Sequence, residues 1–277
     1  MTVVNYRVAG EMSADGMAFR NPGAYEKTRG WLDQSLTWVV ATRGMYPAKV
    51  VDSWDMIDWP MNQAKTGRLT AIGMEVGDAY NHLFKLATDY DLCVKSYVPQ
   101  YARIITGTRF IFTTEEDNIQ PSNVITGLMA AIYECPDCVD EIINFEDWTC
   151  PNGHHGYDAV SGLYYTKAIP PRPMAYGNPK NGPDDFKPQP VEEAVKLKAT
   201  IEVNGIGMGC SIWRKGLLKK VSEPWFKTID NDAETGSGGG TQDLYMCRKA
   251  KEEAGARFGV NCNVKVGHIN IQTGEQW

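Results

Sequence analysis

The sequence predicts an α/β protein with a mainly parallel sheet flanked by helices. Three observations predict it. Short β-rich apolar runs alternate with segments of helical period through the first half of the chain. That order, strand then helix then strand then helix, is how a parallel sheet covered on both faces is built. The 277 residues are 43% apolar and 22% charged, enough to bury one large core, and no repeat at solenoid periods competes with that reading.

Residues 1–34 are polar and aperiodic and read as an N-terminal extension, leaving 35–277 as a single domain. "SLTWVVAT", from Ser35, is a buried strand ended by the loop "RGMYP". Pro47 then opens a helix on which Val50, Val51, Trp54 and Ile57 recur at helical spacing. "GRLTAIG" is a second strand. "VGDAYNHLFKLATDY" follows as a helix with Val76, Ala79, Tyr80, Leu83, Phe84 and Ala87 on one face. In "ARIITGTRFIFTT" the stretch Phe110–Phe112 forms the centre of a buried strand, and acids follow at its end. After Pro121 comes a helix for which Ser122 is a plausible N-cap.

The second half is less regular. "IPPRPMAYGNPKNGPDDFKPQP" is a long surface loop rich in Pro and Gly. "VEEAVKLKATIEVNGIGMGCSIWRKGLLKKV" holds short strands and helices around a Gly-rich turn. "NDAETGSGGGTQD" is a flexible loop entering a helix that ends at Gly255, and "FGVNCNVKVGHINI" reads as a strand pair bearing a lone His.

A net charge of −6 lowers the expectation of a nucleic-acid or anionic-membrane surface. No stretch approaches the length of a membrane span, the start lacks a signal-peptide pattern, and seven cysteines do not suggest a secreted disulfide framework. The expected compartment is the cytoplasm.

Ligands of open α/β sheets bind beyond the carboxyl ends of the strands. Two such ends carry polar residues here, "TRG" and "TTEED". In order along the chain, "VVATRGMYP", "GMEVGDAYNHLFKLA", "FIFTTEEDNIQP", "DAVSGLYYTK", "GTQDLYMCRKAKEEAG" and "VGHINI" resemble the segments of a metal-dependent, family-two-like glycosyltransferase of the GT-A (Rossmann-like) fold. The resemblance runs from about Thr37 to Ile269. Three positions depart from that pattern. The metal motif is Glu-Glu-Asp where an Asp-rich triplet is usual, Gln242 replaces an acid, and Tyr80-Asn81 stands where Arg-Asn is common.

The resemblance implies a hexosyl- or pentosyltransferase that uses Mn²⁺ or Mg²⁺. Its donor would be a UDP- or GDP-sugar, and its acceptor a hydroxyl on a saccharide, protein, metabolite or modified nucleic-acid base. Thr42, Arg43, Asp78, Asn81, Glu115 and Glu116 are the expected donor contacts. Glu115, Asp117 and His268 are the expected metal site, with Asp117 a direct ligand and Glu116 a support. A divalent ion would neutralise the diphosphate as it departs. Asp243 would be the general base, and one base opposite the leaving group implies inversion. The glycines at 236–240 read as a lid over donor. Simpler alternatives stand beside each reading: acids ending a strand in solvent, Asp243 as a helix N-cap, His268 as a core histidine, Arg43 as a structural cation. Trp213 and "EPWF" (Glu223–Phe226) suit either a stacking wall or the core.

A second metal question arises at 135–155. Cys135 and Cys138 have CxxC spacing, and Cys150 and His154 follow, with His155 in reserve. Three thiolates and an imidazole suit a structural Zn²⁺ stapling a small knuckle, expected near the acceptor side; free thiols beside a surface turn are the alternative. Two other functions remain open on sequence: a nucleotidyltransferase of similar fold, and a non-catalytic zinc-containing module that binds glycan or nucleic acid.

Overall fold

Alternation along the strands decides the architecture. The structure, a computed structural model, describes residues 35–59, 68–138, 141–144, 146–229 and 241–277. The expected extension at 1–34 and the glycine lid at 236–240 lie outside the described residues. In β1 (Leu36–Thr42), Leu36, Trp38 and Val40 join one core while Val39 and Ala41 join another. In β3 (Phe110–Glu115), Phe110 and Phe112 go one way and Ile111 the other. Successive side chains on a strand point to opposite faces, so a sheet buried on both faces needs these consecutive apolar residues.

The remaining long strands are β2 (Arg68–Ile72), β5 (Ala159–Leu163), β7 (Thr200–Val203), β9 (Cys210–Arg214) and β10 (Phe258–Lys265). They form a seven-stranded sheet in the order β2-β1-β3-β9-β5-β10-β7, while the short β6 (Ala175–Tyr176) and β8 (Gly205–Ile206) pair antiparallel outside it. β1 is parallel to β2 and β3, and β10 is parallel to β5. β9 runs antiparallel to both β3 and β5, and β7 antiparallel to β10. The sheet is therefore mixed but mostly parallel, with one reversed strand at its centre.

Helices cover both faces. On one side α2 (Val76–Thr88), α4 (Pro99–Gly107) and α8 (Gln242–Ala254) pack through Tyr80, Leu83, Phe84, Ile105, Met246 and Ala250. On the other, α1 (Ala48–Asp55) contributes Val50 and Trp54, and α5 (Val124–Tyr133) is buried along most of its length. α3 (Tyr90–Ser96) links α2 to α4, and the short helices α6 (Glu192–Leu197) and α7 (Lys215–Leu218) flank β7 and β9. The Lys215 ammonium donates to Ala87 O (2.6 Å), Ile105 O (2.7 Å) and Thr108 Oγ1 (2.6 Å), tying the ends of α2 and α4 to the sheet.

The strand expected around Phe110–Phe112 runs from Phe110 to Glu115, preceded by a helix that Pro99 opens and that carries Ile104 and Ile105. Several expectations need correction. The cap position of α5 is Asn123 rather than Ser122. The C-terminal strands do not pair with each other: β10 lies in the main sheet, while β11 (Gly267–His268) pairs with β4 (Asn118–Ile119). Trp213 is fully buried against Phe84, Phe226 and Phe258, and Trp225 is buried too, so these rings are core and not a stacking wall.

Candidate functional site

At the carboxyl edge of the sheet, β1 and β3 end side by side, Ala41 opposite Glu115. Glu116 turns back toward β1. Its carboxylate accepts from Thr42 Oγ1 (2.5 Å), the Arg43 backbone N–H (2.8 Å) and Arg43 Nε (2.5 Å). Thr42 Oγ1 in turn accepts from Gly44 N (2.9 Å). Glu116 is thus a bracket that shapes the "TRG" loop. The Arg43 side chain stays 76% exposed beside the cleft.

Glu115 points the other way, as the alternation requires, and accepts from the hydroxyl of Tyr80 (3.0 Å). Burial, then the charges of Asp117 and Asp243, push its carboxyl up to about 8. Asp243 is therefore close enough to be felt, although it arrives from a distant segment of the chain. It sits in the first turn of α8, after the cap residue Thr241 rather than as the cap itself, and its Oδ1 accepts from Leu244 N (2.9 Å). Burial raises the Asp243 carboxyl, partly offset by hydrogen bonds from Thr241 and Leu244. A cleft of about 250 Å³ opens beside these acids, lined by Thr42, Arg43, Met74, Val76, Glu115 and Asp117 among others.

Asp117 completes the cluster. Its Oδ2 takes an ion pair from Lys167 and lies 3.5 Å from His268 Nε2. Burial works to raise this carboxyl, but His268 and Lys167 outweigh it and hold it below the usual range. His268 is positioned by three ties. Its backbone pairs with Asn118, Ile269 N donates to Asp117 O (2.8 Å), and its Nδ1 meets the Tyr165 carbonyl at 2.6 Å. Tyr164 packs edge-on against the imidazole, and its hydroxyl accepts from Gly209 N (3.0 Å). This contact accounts for the Gly-rich turn. A Cβ on Gly207 would run into the Tyr164 hydroxyl, and one on Gly209 into the Asn118 amide.

The raised Glu115 carboxyl sets a pH dependence. Between about 4.5 and 8 the folded protein keeps a proton here that the unfolded chain releases, so stability falls as pH rises through that window. In EDTA, we expect wild type to lose roughly 2 kcal/mol relative to Glu115→Gln between pH 5 and 8, less than the full shift implies because cleft water reaches the carboxylate. Urea melts at each pH check it, and parallel curves for the two proteins would contradict it.

Two expected donor contacts sit apart from the cleft lining. The Asn81 amide is taken up by backbone: its Nδ2 donates to Phe226 O (2.7 Å) and its Oδ1 accepts from Trp225 N (2.9 Å) and Phe226 N (3.0 Å). It anchors the "EPWF" segment. Asp78 is exposed in the first turn of α2, and its backbone N–H is capped by Glu75. Sequence reasoning passed over Tyr80, Tyr164 and Lys167 as site residues. Lys167 lies four residues beyond the end of β5, and that position after a strand's carboxyl end was its only signal.

The Cys/His cluster assembles as expected. The donor atoms of Cys135, Cys138, Cys150 and His154 all lie within 4.8 Å of one another, and among the described residues no other set of three or more converges this way. Cys138 Sγ is 3.8 Å from Cys150 Sγ and 3.0 Å from His154 Nδ1. A tight turn delivers the last pair. Cys150 N donates to His154 O (2.9 Å), Gly153 N donates to Cys150 O (2.8 Å), and Gly153 adopts a φ of 79° that favours glycine. Three thiols and an imidazole are the donor set of a closed tetrahedral Zn²⁺ site, so the residues fit that ion. His155 is excluded as a ligand here because its Nε2 faces Asp158 (3.2 Å).

The knuckle does not lie near the acids. Trp148 packs on Phe110, at the start of β3, and on Tyr133, at the end of α5. Arg257, just before β10, reaches Asp137 (2.5 Å), His155 O (3.0 Å) and Glu202 (2.7 Å). The cluster therefore sits at the amino edge of the sheet, a strand length of roughly 17 Å from the acids. The expectation that it holds a loop near the acceptor side is corrected: α5 carries the chain back across the sheet before the first cysteine.

No family model matches the chain, and no curated protein matches it. Among solved structures, the chain is similar to the crystal structure of A197 from STIV, at 16% identity and a TM-score of 0.49, covering 87% of this chain and 92% of that one. Any functional reading therefore rests on this chain's own side chains. Among the described residues, no helix is long and apolar enough to cross a membrane.

Proposed function

We propose that this protein is a metal-dependent, inverting glycosyltransferase of the GT-A kind, moving a sugar from a UDP- or GDP-sugar to an acceptor hydroxyl. The observation that carries the reading is the placement of Glu115 and Asp117 on a cleft walled by Thr42, Arg43 and Met74, with Asp243, from a distant segment, close enough for its charge to act on Glu115.

Asp117 and His268 would hold a Mn²⁺ or Mg²⁺ ion, with Glu115 next to them. Their fit rests on Asp117 Oδ2 and His268 Nε2 lying 3.5 Å apart with the Lys167 ammonium already standing in as a cation. Such an ion takes few protein ligands and fills its shell with phosphate oxygens and water, and it would neutralise the departing diphosphate. Arg43, largely exposed at the cleft, supplies a fixed fork of donors to phosphate. Glu116 keeps that loop in shape. Asp243, whose burial makes it a stronger proton acceptor than an ordinary carboxylate, takes the acceptor's hydroxyl proton. The acceptor oxygen forms its bond to the anomeric carbon as the bond to the diphosphate breaks. Zn²⁺ at the knuckle has a structural part only.

The test is a donor screen in Mn²⁺, following release of UDP or GDP from their sugars. We expect slow donor hydrolysis by wild type that EDTA abolishes and that Asp117→Ala lowers at least tenfold. Pyrophosphate release from a nucleoside triphosphate would favour a nucleotidyltransferase instead. EDTA-insensitive glycan or nucleic-acid binding without turnover would favour a binding module.

A further inference from the structure

Lys167 occupies the place where the proposed reading puts a divalent ion, and the surrounding hydrogen bonds say what that means. The Tyr165 carbonyl can only accept, so the imidazole nitrogen facing it at 2.6 Å, Nδ1 of His268, carries the proton. His268 Nε2 lies 3.5 Å from Asp117 Oδ2, too long for a good hydrogen bond, so the Lys167 ammonium is the close cationic partner of that carboxylate.

Its carrier is built to let it leave. Lys167 opens the tip of a loop whose neck is closed: Thr166 N donates to Arg172 O (2.8 Å), Arg172 N donates to Thr166 Oγ1 (3.0 Å), and Tyr165 bridges Pro173. Beyond the neck the tip is open, with Ile169 88% exposed. The Lys167 side chain is itself 30% exposed, so its ammonium can move into the cleft without breaking the neck.

We propose that Lys167 is a resident counter-ion for Asp117 that a divalent cation must displace, and that the released ammonium pairs with the donor's diphosphate. This rests on the metal-dependent reading above and adds a regulation to it. In the free protein the lysine competes with the metal. When a nucleoside diphosphate arrives, it gives the lysine a new partner and gives the metal new oxygen ligands. Metal and diphosphate then strengthen each other's binding, and linkage requires the effect to be reciprocal.

Mn²⁺ binding followed by electron paramagnetic resonance tests this without any turnover. It uses wild type, Lys167→Ala, Lys167→Arg and Asp117→Asn, each with and without UDP and GDP. Circular dichroism confirms that each variant is folded, and the arginine variant keeps the charge in case alanine perturbs the loop. In the absence of nucleotide, Lys167→Ala should bind Mn²⁺ about tenfold more tightly than wild type, while Lys167→Arg stays close to wild type. Nucleotide should tighten Mn²⁺ binding in wild type and do so less in Lys167→Ala. Equal or weaker Mn²⁺ binding by Lys167→Ala overturns the exchange. Failure of the underlying reading looks different: Asp117→Asn would then bind Mn²⁺ as wild type does.

Discussion

If the proposed glycosyltransferase reading holds, replacing Asp243 by Asn should lower sugar transfer by about 10³-fold and leave donor binding intact, because a positioned general base contributes roughly 10²–10⁴-fold. The change is isosteric and keeps the Leu244 N–H contact at the first turn of α8. What disappears is the carboxylate proposed to take the acceptor's proton. It also removes one of the charges that push up Glu115, so that carboxyl moves back toward its ordinary range. Single-turnover transfer and donor affinity, measured side by side, check the prediction. Equal loss in both would make Asp243 a binding residue, and full activity would remove it from the chemistry.

The second large effect lies at the opposite edge of the sheet. A chelator strong enough to strip Zn²⁺, or Cys150→Ser, should cost about 4 kcal/mol and lower Tm by roughly 10 °C in a chain of this size. The knuckle carries Trp148, which is buried, donates its indole N–H to Tyr157 O (2.8 Å) and packs under the Arg214 guanidinium at 4.8 Å. Loss of the metal unties that ring from Phe110 and Tyr133, so a red shift in tryptophan emission should accompany the drop in Tm. Elemental analysis of the purified protein should find one zinc per chain. A protein that holds no zinc and ignores the chelator would make the four residues free thiols and a surface imidazole.

Parts of this are readable from the sequence because they are local. The strand "LTWVVAT" and the helix from Val76 follow from residues that neighbour each other in the chain, and the CxxC and C-x3-H spacings mark four ligands by their separation alone. Glu115 and Asp117 are legible for the same reason. Partners that arrive from far along the chain are not. Lys167 meets Asp117 across 50 residues, and Tyr80 meets Glu115 across 35. Nothing in the spacing of either pair predicts contact. Asn81 shows the converse. A polar residue on a helix near the site has the look of a ligand contact, yet it spends its amide on the backbone of Trp225 and Phe226. The reversed strand β9 is equally hidden, since strand direction is set by which neighbours it finds and not by its own five residues.

Calorimetric titration of UDP and GDP into wild type and Asp117→Ala, each in Mn²⁺ and in EDTA, bears most directly on the claim that these carboxylates recruit a cation to hold a diphosphate. The account predicts that one of the two nucleotides binds wild type in Mn²⁺, and that either EDTA or the alanine substitution weakens that binding at least tenfold. Nucleotide binding of the same strength in all four conditions would contradict it.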